Sequence, residues 1–138
     1  MNLFLPGSPS TRRIAAGILT WLIPFLAAIP FYGRDGVLLI DQMFFKSAMI
    51  VIASVTAACL MVWHFSRVPA PYTREAVVTS LVWLGINWIL DLVVLVALLG
   101  MPVSEYVTAI GLRYLMIPAM VIACGIIADR ARERTPAG

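Results

Sequence analysis

Four long apolar runs follow one another along the chain, and each is long enough to cross a lipid bilayer as a helix. A spanning helix takes about 20 mostly apolar residues. In hydrocarbon the backbone has no water to bond, which favours helices over loops and open sheets. Of the 138 residues, 62% are hydrophobic and 12% charged, whereas soluble domains are about 25% charged. We predict one all-α transmembrane domain over residues 1–138, a four-helix bundle with helices at 13–32, 40–65, 76–99 and 105–128.

Arginine is distributed unequally between the two sides of this predicted bundle, which indicates its orientation. In membrane proteins, Lys and Arg collect in the cytoplasmic loops. One side has Arg34, with Lys46 deeper in the membrane, and the other side has seven arginines. These are Arg12, Arg13, Arg67, Arg74, Arg130, Arg132 and Arg134. We expect both termini in the cytoplasm. Because arginine outnumbers lysine and alanine is common, we also expect a prokaryotic plasma membrane.

The third run has a single charge, Asp91, at a position where hydrocarbon is expected. Insertion scales assign such a charge a cost of about 3 kcal/mol. A cost of that size requires a partner, a bound proton or a water-filled cavity. Asn87 lies one helical turn earlier, on the same face. Both side chains are therefore predicted to point into the bundle.

The fourth run also contains one deep charge, Arg113, which the spacing places opposite Asp91. Each of the two residues is eleven positions from Pro102, so an antiparallel hairpin brings them to the same depth. We expect an ion pair between them, although desolvation offsets much of the attraction. Lys46 reaches a similar level on the second helix, and Asp41 lies slightly shallower. The predicted polar core is Asp41, Lys46, Asn87, Asp91 and Arg113.

His64, the single histidine, is predicted at the opposite end of the bundle, where a polar, proline-containing loop begins. We expect it to face solvent or lipid headgroups, with proton sensing as the alternative. At that end it cannot serve the carboxylates of the outward half. Cys59 and Cys124 lie inside apolar runs and are expected to be small packing residues.

The chain has no motif that indicates catalysis. It lacks a Ser–His–Asp set, an HExxH segment and a GxxxxGK[ST] loop, and its cysteines lack the spacing of metal ligands. We therefore expect no enzymatic activity, no cofactor and no bound metal. The arginines are spread over the termini and one loop, which gives no support for nucleic-acid binding.

Three blocks of the chain resemble small four-span membrane proteins of prokaryotes that have no assigned activity. The blocks are DGVLLIDQMFFKS (35–47), LVWLGINWILDLVVL (81–95) and EYVTAIGLRYLMIP (105–118). The resemblance implies the same four-helix architecture. It also marks Tyr114 as worth testing beside the five polar-core residues, and it implies no substrate.

Two functions are compatible with these features. A neutral, mutually paired polar core fixes which helices pack together. Our first hypothesis is therefore a non-catalytic scaffold or accessory subunit, in a homo-oligomer or a larger membrane complex. The second is a small ion or solute transporter or channel that uses Asp91 and Arg113. The second hypothesis requires an unpaired acid, or a polar path that continues to the inner side.

Overall fold

The structure, a computed structural model, describes residues 8–135, and within that range the chain is helical apart from short connections. The helices are α1 (Pro9–Ala28, extended by a 3-10 turn over Ile29–Phe31), α2 (Gln42–Phe65), α3 (Tyr72–Asp91, continued as a π-helix over Leu92–Leu98), α4 (Val103–Ala109) and α5 (Met116–Arg134, preceded by a 3-10 segment over Gly111–Leu115). Four helical segments are long and apolar enough to cross a membrane: Pro9–Phe31, Gln42–Phe65, Tyr72–Leu98 and Gly111–Arg134. The prediction of an all-α fold with four such helices is confirmed.

Local capping explains where the first two helices begin. Ser8 accepts a hydrogen bond from the backbone N–H of Thr11, and Pro9 occupies the first helical position, so α1 starts four residues earlier than predicted. Asp41 caps α2 by accepting from Met43 N and Phe44 N at 3.0 Å each. The second helix therefore begins after Asp41 rather than before it.

Helix α3 is the centre of the bundle, because it packs against both α1 and α5, while α2 packs mainly against α1. Two glycines allow these close approaches. A Cβ on Gly17 of α1 would lie 2.9 Å from Trp83 Cδ1, and a Cβ on Gly125 of α5 would lie 2.5 Å from Ala76 Cβ. Trp83 is completely buried and fills the space between the helices.

The carboxylate of Asp129 on α5 fixes the first turn of α3. It accepts hydrogen bonds from Tyr72 N at 2.9 Å and Thr73 N at 2.7 Å. A helix start leaves backbone N–H groups without partners, and an acidic group there also interacts favourably with the helix dipole. This contact between distant segments explains why α3 starts four residues before its predicted boundary.

The fourth predicted helix is interrupted. Ile110, with φ −130° and ψ −55°, ends α4, and a 3-10 segment precedes α5. The carbonyl of Gly111 at this break accepts a hydrogen bond from Trp88 Nε1 of α3 at 3.0 Å. The expectation of one uninterrupted helix over 105–128 is therefore wrong, and the break decides which side chains face α3.

Candidate functional site

A stripe of side chains, partly buried at its first position and buried at the other four, runs along α3 at every fourth residue. We call it the α3 stripe; it consists of Glu75, Thr79, Trp83, Asn87 and Asp91. A four-residue step exceeds one helical turn slightly, so the stripe winds about the α3 axis as it proceeds. It extends over about 24 Å at a rise of 1.5 Å per residue. Each end of the stripe therefore meets a different set of neighbouring helices.

At the first end, Glu75 joins three helices through its carboxylate. Arg13 of α1 donates from Nη2 to both oxygens, at 2.9 and 2.8 Å, and from Nε to Oε1 at 3.2 Å. His64 at the end of α2 lies with Nε2 2.8 Å from Oε1. Thr79 donates its hydroxyl to the same oxygen at 3.1 Å. We call these four residues the Glu75 cluster.

His64 is not where the sequence led us to expect it. Its side chain is completely buried, rather than facing solvent or headgroups. Because a carboxylate only accepts hydrogen bonds, Nε2 carries the proton donated to Glu75 Oε1. Nδ1 is buried and makes no hydrogen bond with the described residues. The signal that could have located His64 is Glu75, which follows it after a loop of a few residues and lies in the first turn of α3.

The middle of the stripe is bonded to α1. Trp83 Nε1 donates to the backbone carbonyl of Arg13 at 2.9 Å. Asn87 is completely buried and donates from Nδ2 to Thr20 Oγ1 and to the carbonyl of Trp83, at 2.8 Å each. These bonds fix the rotation of α3 against α1. The indole ring of Trp83 also separates the two polar ends of the stripe.

At the second end, Asp91 is 3% exposed and faces aromatic side chains. Trp21 of α1 donates from Nε1 to Asp91 Oδ1 at 2.6 Å. The phenol groups of Tyr106 and Tyr114 also lie beside this carboxyl group. Asp91 Oδ2 is buried and has no hydrogen bond of conventional geometry within the described residues. Among residues 8–135 the ion pairs are Arg13–Glu75 and His64–Glu75, so Asp91 has no cationic partner there.

The expected Asp91–Arg113 ion pair is wrong. Arg113 lies in the 3-10 segment with its side chain exposed. In one continuous α-helix, Arg113 would share a face with Tyr106, seven residues earlier. The break at Ile110 and the tighter 3-10 winding change that rotation, so that Tyr114 lies beside Asp91 in place of Arg113. The mirror spacing about Pro102 assumed a regular helix that the chain does not form.

The remaining predicted core residues are dispersed. Asp41 is exposed and serves as the cap of α2. Lys46 is half-buried on α2 and forms no ion pair with the described residues. Of the five residues, the structure brings only Asn87 and Asp91 onto one buried surface. Within residues 8–135, no three or more His, Cys, Asp or Glu side chains lie close enough together to hold a metal ion.

Comparisons with family models, with curated proteins and with solved structures found no match to this chain.

Proposed function

We propose that the protein is a small multi-pass membrane protein of the prokaryotic plasma membrane that transfers protons along the α3 stripe. The single observation that carries this proposal is a buried acid, Asp91, without a cationic partner among the described residues. The stripe that begins at Asp91 also continues to the Glu75 cluster at the opposite end of α3. An unpaired acid is one of the two features expected of a transport function. The other, a polar path toward the inner side, is present on both sides of Trp83 and is interrupted at its ring.

The surroundings of Asp91 suit a group that gains and loses a proton. A charge inside a membrane is costly unless it is paired, and a bound proton removes that charge. Trp21 bonds to Oδ1, whereas Oδ2 has no bond of conventional geometry with residues 8–135, so a proton can bind Oδ2 without breaking the Trp21 contact. When the proton leaves, the indole N–H still stabilises the carboxylate. The phenol hydroxyl groups of Tyr106 and Tyr114 lie beside Asp91 and can accept its proton and pass it on.

At the other end, the Glu75 cluster supplies the second proton-exchanging group. Arg13 holds Glu75 as a carboxylate, which leaves the imidazole of His64 to exchange protons through Nδ1, an atom that has no hydrogen bond with the described residues. Trp83 lies between the two ends and blocks a direct chain of hydrogen bonds. Proton transfer therefore requires water to enter beside the Trp83 ring, so we expect slow, gated transfer rather than an open channel. The proposed transfer includes no covalent step, and the absence of enzymatic activity stays a prediction.

Flux in proteoliposomes tests this proposal. A potassium gradient with valinomycin drives protons inward, and a trapped pH-sensitive dye reports their entry. We expect wild-type protein to acidify the lumen and Asp91→Asn to lose at least nine-tenths of that rate. Arg113→Gln is the matched control and keeps it. Asp91→Glu, which retains the carboxyl group, keeps a measurable part of the rate. Wild-type flux equal to that of protein-free vesicles, or full flux in Asp91→Asn, contradicts the proposal.

We further propose that both termini face the cytoplasm. The end of the bundle that holds the Glu75 cluster carries the seven arginines, and positive residues favour the cytoplasmic side. In a background with Cys59→Ala and Cys124→Ala, we expect Ser104→Cys to react with an impermeant maleimide on intact cells. Thr135→Cys, exposed at the other end, should react only after lysis. The reverse pattern contradicts the orientation.

The second candidate function is a scaffold or accessory subunit, and the Glu75 cluster favours it. One carboxylate there ties α1, α2 and α3 together with every charge paired. If the α3 stripe is purely structural, as the scaffold function requires, wild-type protein shows no proton flux. The scaffold function also predicts that Asp91→Asn unfolds the protein, whereas the transport proposal predicts a folded variant without flux.

A further inference from the structure

Two arginines at the end of the bundle near Glu75 remain outside its ion pairs. Arg12 donates from Nη2 to the backbone carbonyl of Arg67 at 3.2 Å, which brings the two residues together. Arg67 donates from Nη1 to the carbonyl of Trp63 at 2.7 Å, and its guanidinium lies 5.2 Å from the centre of that indole ring. Neither arginine pairs with a carboxylate in the described part of the chain. Both guanidiniums are held in place and retain donors for an anion.

An apolar groove leads to Arg67 along the outer surface of α2, and Arg12 lies beside Arg67. Ala58, Cys59, Val62 and Trp63 line the groove, and Ser66 and Arg67 close its polar end. The small side chains of Ala58 and Cys59 leave a depression beside Val62, which is 67% exposed. Because α2 packs mainly against α1, this surface is left uncovered by the described helices, and it faces lipid when α2 spans a bilayer. The groove is therefore an apolar surface depression, facing lipid, with a positive charge at one end.

The depth of the polar end matches that of lipid headgroups. Helix α2 has 24 residues and is about 36 Å long at 1.5 Å per residue, more than the roughly 30 Å of the hydrocarbon core. Arg67 comes two residues after the helix ends, so it lies outside the hydrocarbon. Trp63, one turn earlier, is of the residue type enriched at this boundary. An anionic group reaching Arg67 from the groove is then at the level of a lipid phosphate.

We propose that this groove binds one anionic phospholipid of the bilayer. An acyl chain lies along Ala58, Cys59 and Val62, and the phosphate accepts hydrogen bonds from Arg67 and Arg12. A planar guanidinium matches phosphate oxygens in a two-pronged geometry, which explains the use of arginine here. The combination of an apolar groove with a terminal pair of cations fits a lipid better than a soluble anion, which would contact only the arginines. The site is independent of the α3 stripe.

Native mass spectrometry of the detergent-purified chain, titrated with phosphatidylglycerol or phosphatidylcholine, tests the site. We expect one phosphatidylglycerol to bind wild-type protein at least tenfold more tightly than phosphatidylcholine. The double variant Arg12→Gln/Arg67→Gln should lose that preference. Arg74→Gln, an exposed arginine at the same end of the bundle, is the matched control and should change binding less than twofold. Equal losses in the double variant and the control would indicate diffuse charge attraction and overturn the proposal.

A second variant tests the groove without touching the charges. Ala58→Trp fills the depression at an exposed position and should not disturb folding, which circular dichroism and gel filtration check. We expect it to weaken phosphatidylglycerol binding at least fivefold. Glycerol 3-phosphate, which has the headgroup but no acyl chain, should not compete with the lipid at tenfold excess. Unchanged lipid binding in Ala58→Trp, or full competition by glycerol 3-phosphate, would reduce the site to a simple anion site and contradict the proposal.

Discussion

The two acids of the α3 stripe lie on one helix yet have opposite surroundings. Glu75 accepts hydrogen bonds from a guanidinium, an imidazole and a hydroxyl group. Asp91 accepts one bond of conventional geometry, from the Trp21 indole, and has no cation within the described residues. The acid near the helix end is thus fully paired, while the acid deep in the apolar run is not. The Glu75 end therefore links three helices through paired charges, whereas the Asp91 end holds the acid on which the proposed proton transfer depends.

Removing the Glu75 charge should have the largest effect on stability. Glu75→Gln removes the charge that pairs with Arg13, and it leaves one acceptor oxygen in place of the two that Arg13 and His64 share. Breaking a buried ion pair by removing one partner costs about 3–5 kcal/mol, and the lower end of that range, about 3 kcal/mol, applies here because 15% and 17% of the Arg13 and Glu75 side chains remain exposed. We expect a loss of about that size in the free energy of unfolding, measured by detergent titration in mixed micelles. Glu105→Gln, on the exposed surface of α4, is the control and should change it by less than about 0.5 kcal/mol. If Glu75→Gln and Glu105→Gln changed the free energy of unfolding equally, the Glu75 cluster would not stabilise the bundle, contrary to this prediction.

The packing of α3 should also be tighter at the Glu75 end. A Cβ on Gly125 meets Ala76 Cβ at 2.5 Å and the backbone oxygen of Tyr72 at 3.0 Å, neither of which moves easily. A Cβ on Gly17 meets side-chain atoms of Ile86 and Trp83. We expect Gly125→Ala to cost about 2 kcal/mol and Gly17→Ala about 1 kcal/mol.

Gly85→Ala is the control for these two variants. A Cβ on Gly85 would meet no atom of residues 8–135 within 4 Å, so the substitution should stabilise α3 by up to about 1 kcal/mol through helix propensity. The same unfolding measurement applies. A larger loss for Gly17→Ala than for Gly125→Ala would reverse the expected order.

Neutralising Asp91 should have a smaller effect on stability than neutralising Glu75. In Asp91→Asn the amide oxygen still accepts the Trp21 N–H, so we expect a change of no more than about 1 kcal/mol. Asp91→Leu leaves that buried N–H without an acceptor and should cost about 1–3 kcal/mol. Thermal unfolding in detergent compares the two variants. An Asp91→Asn protein as unstable as Glu75→Gln would favour the scaffold function.

The smallest effect is expected at Arg113. Its side chain is exposed and forms no ion pair among the described residues, so Arg113→Gln should change the free energy of unfolding by less than about 0.5 kcal/mol. Coupling between Asp91→Asn and Arg113→Gln in a double-mutant cycle should be near zero. Coupling above about 1 kcal/mol would show that Asp91 and Arg113 interact, as the sequence spacing suggested.

Much of the fold was predictable because it depends on the length and total hydrophobicity of local segments. Four apolar runs of sufficient length specify four helices whatever their neighbours are. The burial of Asn87 and Asp91 on one face of α3 was predictable for a similar reason, since helical periodicity alone places them together. The boundaries were less predictable, because Asp129 caps α3 from another helix.

The partners of the buried charges were decided only by the tertiary structure. The break at Ile110 rotates the chain so that Tyr114, and not Arg113, lies beside Asp91. The return of the chain from α2 to α3 buries His64 against Glu75, although the sequence suggested a solvated histidine. The sequence by itself determined that this chain forms apolar helices with an acid inside one of them, because length and hydrophobicity act locally. Which charge meets which depends on rotations and breaks that accumulate between helices, and these are settled only when the helices pack.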